Sequence, residues 1–244
     1  CLLYILNELK DKLGITLVGA HLNHSLRGEE SDKDEKYAKE TCESLNIAFY
    51  SNKVDIHKVA KERNLSCEMA GREVRYNFFE ELIIKLDANK VALAHNANDQ
   101  AETILMRIMR GTGIEGLVGI KPVRDKIYVR PILRLSRKEI EKYNSINNIN
   151  PRIDKSNLEN IYARNKVRLE LIPYMEENFN KDIIKTLNRL SNIVKKDNDF
   201  LKILSQKEYE KHCEISQQRV IIKKSAFSLH EAILSRIIRS ALLA

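Results

Sequence analysis

Cysteine is scarce in this chain. Its 244 residues hold four, Cys1, Cys42, Cys67 and Cys213, scattered with no CxxC and no histidine at ligand spacing, which argues against a disulfide framework and against a zinc knuckle. That usage fits a reducing compartment. Long apolar runs are missing too: no stretch approaches the roughly 20 residues that a bilayer-spanning helix needs, and the opening residues do not read as a signal peptide. A cytoplasmic protein without membrane contact is therefore expected. No GxxxxGK followed by Ser or Thr occurs, so no Walker loop is present. No Ser-His-Asp or Cys-His arrangement is visible either.

What is abundant is positive charge. Lys and Arg number 42 against 34 Asp and Glu, a formal charge of +8, which favours an acidic partner such as nucleic acid or nucleotide phosphate. A merely soluble basic surface is the plain alternative. The length allows one large domain, or one with a smaller second.

Leu2, Leu3, Ile5, Leu6, Leu9 and Leu13 share one helical face before Gly14 stops it. Residues 15–22 then read as a buried strand, 31–45 as a helix opened by Ser31 with Asp34 three residues on, and 47–54 as a second strand. Helical patterns over about 56–63 and 68–86 precede an apolar strand at 90–94 and a helix at 99–110. This alternation predicts an α/β fold, a parallel sheet with helices on both faces. The order opens on a helix, so the strand and phosphate-binding turn with which such a unit normally starts are expected upstream of Cys1. Pro122 and Pro131 limit a hairpin or extended loop over 120–135, and Ser136 with Glu139 caps a further short helix. Beyond 181, Ile183, Leu187, Leu190, Val194, Leu201 and Leu204 form a helical stripe among lysines, which predicts a smaller, basic helical domain. The expected division is 1–173 and 174–244. Ser228 and Glu231 form a capping-box signature for a last helix whose apolar period still runs at Ala244; the chain reads as a fragment cut at both ends.

The stretch AHNANDQAETILMRIMRGTGIEGL, 94–117, crowds ionisable groups. His95 ends a strand while Asp99 and Glu102 open the next helix as a capping-box-like pair. Open α/β sheets bind ligands there, at the carboxyl ends of strands and the amino ends of helices. Capping alone is the plain reading of the two acids. A second strand end, HLNHSLRGEE (21–30), carries His21, Asn23, His24 and Arg27, and two such ends suggest one shared crevice. In extended chain the two histidines of this HxxH would point to opposite faces, which favours a polar lining over a metal site. Arg72 with Arg75, Arg107 with Arg110, and Arg164 with Arg168 each share a helix face. With the net charge, three such pairs favour phosphate contacts over ordinary solvated faces. Gly111 and Gly113 supply a helix C-terminal turn.

Taken in order, HLNHSLRGEESDKDE, EMAGREVRYNFFEEL, the 94–117 stretch, RPIL and DKSNLENIYARNKVRLELIP resemble successive motifs of the tRNA(Ile)-lysidine synthetase family, within the PP-loop (N-type) ATP pyrophosphatase superfamily. The resemblance covers roughly 1–175, and less specifically the basic helices beyond. It implies an adenine nucleotide alpha hydrolase-like fold, here without its first strand. It also implies an ATP-dependent ligase, with magnesium, that adenylates the wobble cytidine of an isoleucine tRNA with a CAU anticodon and lets free lysine displace AMP. The metal ligands stay open, and so does a homo-oligomer. On this resemblance His95, Asp99 and Glu102 stand near the reacting centre. His21, Asn23, Arg27, Arg110, Gly111 and Gly113 contact ATP or its phosphates, while Arg72, Arg75, Arg164, Asn165 and Arg168 hold nucleotide or tRNA. Two departures matter: Asn96 and Asn98 occupy places where the family often has His and Asp, and its SGGxDS pyrophosphate loop is absent. Little ligase activity is therefore expected of these 244 residues alone. A related PP-loop tRNA thiolase and a non-catalytic RNA-binding module are the alternatives; a thiolase commonly has paired cysteines, and none is paired here.

Overall fold

An apolar helix face that runs into a glycine ends where the backbone turns left-handed. In the computed structural model, which describes residues 1–152, 163–216 and 219–243, α1 (Leu2–Leu13) stops at Gly14 with φ 61°. The Ile15 amide closes back on the Lys10 carbonyl. That closure assigns Ile15 to the helix end, so β1 (Val18–Asn23) begins later than its apolar run suggests. α2 (Glu29–Ser44) starts after Gly28, φ 52°, with Glu29, Glu30 and Asp32 in its first turn, where acids complement the helix dipole. Ser31 is thus inside the helix rather than its cap, and its Oγ accepts the Arg27 amide. β2 (Ala48–Lys53) pairs parallel with β1, from Val18 opposite Ala48 to Asn23 opposite Lys53, and α2, the crossover between them, packs on both.

Asp55 caps α3 (Ile56–Arg63) and Ser66 caps α4 (Cys67–Leu86), each by accepting a backbone amide. The two helices close on Ile56, Ala60 and Ala70. β3 (Val91–Ala92) pairs parallel with β5 (Tyr128–Val129), which pairs antiparallel with β4 (Val123–Arg124), in the order β3-β5-β4. Of the hairpin or extended loop expected at 120–135, the hairpin is what forms, and it joins a sheet. Arg124 ties it to α4, its guanidinium 4.4 Å from the Tyr76 ring centroid and 4.3 Å from that of Tyr128. A cavity of about 440 Å³ lies between β1 and β3, lined by Leu2 and Leu6 of α1, Gly19 and Ala20, Leu82 of α4 and Val91. Among the described residues each of those two strands has a partner on one edge only. α7 (Arg137–Ile146) opens with the expected Ser136–Glu139 capping box.

The chain divides into two compact units, 1–98 with 121–161 and 99–120 with 162–244. The division falls within α5 (Ala97–Met109), which begins earlier than expected because Asn96 Oδ1 accepts the Asn98 amide. Asp99 and Glu102 are consequently inside the helix and do not form a capping box. The second unit continues with α6 (Ile114–Leu117), α8 (Ala163–Lys166), a π-helical turn at Val167–Leu171, α9 (Ile172–Asn178) and α10 (Ile183–His212). Ala101, Ile104, Leu105, Val167, Ile172 and Leu187 form its first core. An antiparallel hairpin of β6 (Cys213–Ser216) and β7 (Arg219–Ile222), which no sequence signal announced, precedes α11 (Glu231–Leu242). His230, not Ser228, caps α11 by accepting the Ala232 amide, because residues 224–228 are taken up in a 3-10 turn. The fold is α/β with parallel strand pairs and a helix-rich C-terminal region. No helix of the described residues is long and apolar enough to cross a membrane.

Candidate active site

In the first unit the end of β1 is held by a buried amide. Asn23, 1% exposed, donates through Nδ2 to Asp32 Oδ1 at 2.8 Å and Glu35 Oε2 at 2.9 Å, and its Oδ1 accepts the Ser25 amide. This candidate phosphate contact is thus occupied in fastening β1 to α2. Arg27 pairs with Asp34 at 2.8 Å, and Arg152 bridges Asp34 and Glu30. His21 lines the apolar cavity; burial lowers its pKa, with Glu35 and Asp34 pulling the other way. His24 accepts at Nε2 from Arg75 Nη2, 2.9 Å away. Burial first, then the Arg75 and His21 charges, push its pKa down to about 4. Arg72 stacks on Tyr76 at 4.8 Å. His95 receives a bond at Nδ1 from Arg130 Nε, 3.3 Å away. Asn98 Oδ1 accepts the Arg137 amide at the start of α7, so both asparagines of the NAND run serve helix starts.

The second unit brings together four residues that the sequence offered in two separate roles. Glu102, 1% exposed, meets Arg164 Nε at 2.8 Å and Arg168 Nε at 2.6 Å. Asp99 lies 3.5 Å from Arg164 and 3.2 Å from Arg168. Burial alone would lower the Arg168 pKa, but the hydrogen bond and charge of Glu102, with Asp99 behind it, hold it above its usual value. Glu102 alone of the four is fully buried, so it is the carboxylate that removal of both arginines would strand. Arg168 sits in the π-helical turn, a departure from α geometry often found at functional sites. Asn165 is buried beside it.

Arg107, read with Arg110 as a phosphate pair, instead donates to the Gly116 and Gly119 carbonyls at 2.8 and 3.0 Å. Arg110 is exposed. Gly111 turns the chain at φ 70° and Gly113 opens α6. Sequence reasoning missed Gln100, which donates to Val118 and Ser191 from its buried side chain, and Arg130. The signal for Arg130 was present, since it opens RPIL.

A family model described as the PP-loop domain matches residues 1–175. The chain belongs to the PP-loop family. It is 55% identical to a tRNA(Ile)-lysidine synthase of Clostridium tetani and 57% to one of Clostridium perfringens, each over 99% of this chain and 52% of the relative. A tRNA(Ile)-lysidine synthase of Petrotoga mobilis is 37% identical over 91% of this chain and 69% of that one. The chain thus spans about half the length of the first two relatives. Among solved structures, the U34-tRNA thiolase NcsA from Methanococcus maripaludis, described with its 4Fe-4S cluster, aligns with a TM-score of 0.59. At 16% identity, covering 78% of this chain and 68% of that one, it shows the fold alone. Of the PP-loop motifs quoted from the sequence, the segment 154–162 lies outside the described residues.

Proposed function

We propose that this PP-loop chain is part of a tRNA(Ile)-lysidine synthase. Such an enzyme uses ATP to adenylate the C2 oxygen of the wobble cytidine in isoleucine tRNA, releases pyrophosphate, and lets the side-chain amine of free lysine displace AMP. The observation that carries the reading is identity above half, along nearly the whole chain, to proteins bearing that name. On this reading residues 1–173 are the PP-loop domain and 174–244 a tRNA-contacting region. His95, Asp99 and Glu102 serve the reacting centre. His21, Arg27, Arg110, Gly111 and Gly113 face the ATP phosphates, with Asn23 shaping that strand end. Arg72, Arg75, Arg164, Asn165 and Arg168 hold nucleotide or tRNA. Arg164 and Arg168, neutralised by the two carboxylates they share, present a geometry suited to exchanging one anionic partner for another.

Among the described residues no group of three His, Cys, Asp or Glu could hold a metal ion. Magnesium enters together with the ATP phosphates, beside which it needs only one or two protein carboxylates. The test is product analysis on the chain joined to an SGGxDS-containing strand and loop. Pyrophosphate should form only when ATP and isoleucine tRNA with a CAU anticodon are both present, and AMP only when free lysine is added as well. Equal formation without that tRNA would overturn the reading.

A further inference from the structure

We propose that Arg130 is a positioning residue that fixes His95 as the Nε2–H tautomer, so that His95 enters the reaction as a hydrogen-bond donor and not as the base that takes a proton from the amine. This role in the reaction rests on placing His95 at the reacting centre. The tautomer itself does not.

A guanidinium carries five donors, has no acceptor and does not deprotonate in proteins, so any ring nitrogen it bonds must present a lone pair. Arg130 Nε points at His95 Nδ1, at 3.3 Å, which leaves Nε2 as the protonated nitrogen of a neutral imidazole. Adding a proton at Nδ1 would set one N–H against another beside a fixed positive charge. Arg130 is well held for this purpose. Its side chain is buried, 8% exposed, its Nη1 donates to the Lys121 carbonyl at 2.6 Å, and its backbone amide donates to the Pro122 carbonyl. It is therefore anchored across the β4–β5 hairpin. The Nε2–H so produced suits a phosphate or adenylate oxygen, and the ring keeps no lone pair for an ammonium proton.

The same unit contains a built-in comparison. Arg75 donates to His24 at the other ring nitrogen, Nε2, so by the same argument His24 carries its proton on Nδ1. One spectrum of the 244-residue chain therefore tests both. In ¹⁵N-labelled protein at pH 7, long-range proton–nitrogen correlations are recorded, with His95→Gln and His24→Gln identifying the two rings. Opposite tautomers are expected, His95 protonated at Nε2 and bare at Nδ1, His24 the reverse, with a coupling across the bond between Arg130 Nε and His95 Nδ1. His95 found as Nδ1–H or as an imidazolium overturns the proposal, and so does absence of that coupling. In Arg130→Met the His95 pattern should average between tautomers; an unchanged, fixed Nε2–H would remove Arg130 from the account. Should that variant not fold, the wild-type tautomer and coupling still decide. Because no substrate is added, a failed lysine assay leaves this result standing, and a failed tautomer leaves the lysine assay standing.

Discussion

His24 shows how a single side chain ties a candidate site to stability. It is held neutral by burial and by the Arg75 guanidinium at its Nε2, with its pKa pushed down to about 4, whereas an unfolded histidine titrates near 6.5. The folded state therefore binds fewer protons than the unfolded state between those values. Its contribution to stability is complete above about pH 6.5 and is lost as pH falls toward 4. In His24→Gln, the fall in the urea midpoint across that window should be shallower than in the wild type, measured by circular dichroism at steps of pH. His21, depressed in the same direction, keeps part of the slope in the variant. An identical slope in both proteins would contradict the account. At this scale the sequence told which residues were candidates but not whom they touch. Asp99, Glu102, Arg164 and Arg168 were read as acids at one helix start and as a distant basic pair; their contact spans more than 60 positions, and no local pattern encodes that.

Elements were more legible than contacts, because periodicity and caps are local. α3 spans its expected residues, α4 begins one residue early, and the Ser136 capping box forms as the S-x-x-E spacing predicts. Where another group took the cap, the expectation failed: Gly28 in place of Ser31, Asn96 in place of Asp99, and His230 in place of Ser228. The β6–β7 hairpin was hidden because its two strands are only four residues each. The packing of β1 on α2 turns on Gly19, where an added Cβ would collide with Cys42 Sγ and touch Phe49 at 3.4 Å. Gly19→Ala should therefore destabilise the chain by about 1–3 kcal/mol in urea unfolding. Adding Cys42→Ala should return part of the loss. A double variant whose cost is the plain sum of the two singles would show that the contact does not set the packing.

At the scale of the whole molecule, the α/β class and the basic helical C-terminal region follow from alternation and charge, and the strand pairings agree with the former. The cavity between β1 and β3 was not legible, since it arises where two short sheets leave their facing edges without a strand among the described residues. The resemblance places a strand and its SGGxDS turn ahead of α1, and the account gives that piece the backbone donors for pyrophosphate. The most direct test is incorporation of labelled lysine into an isoleucine tRNA transcript with a CAU anticodon, in the presence of ATP and magnesium. It compares the 244-residue chain with the same chain joined to that strand and loop. The account predicts incorporation by the joined protein and little by the chain alone. No incorporation by a joined protein that is folded would contradict the assignment as a lysidine synthase, and equal turnover by both would contradict the role given to the loop.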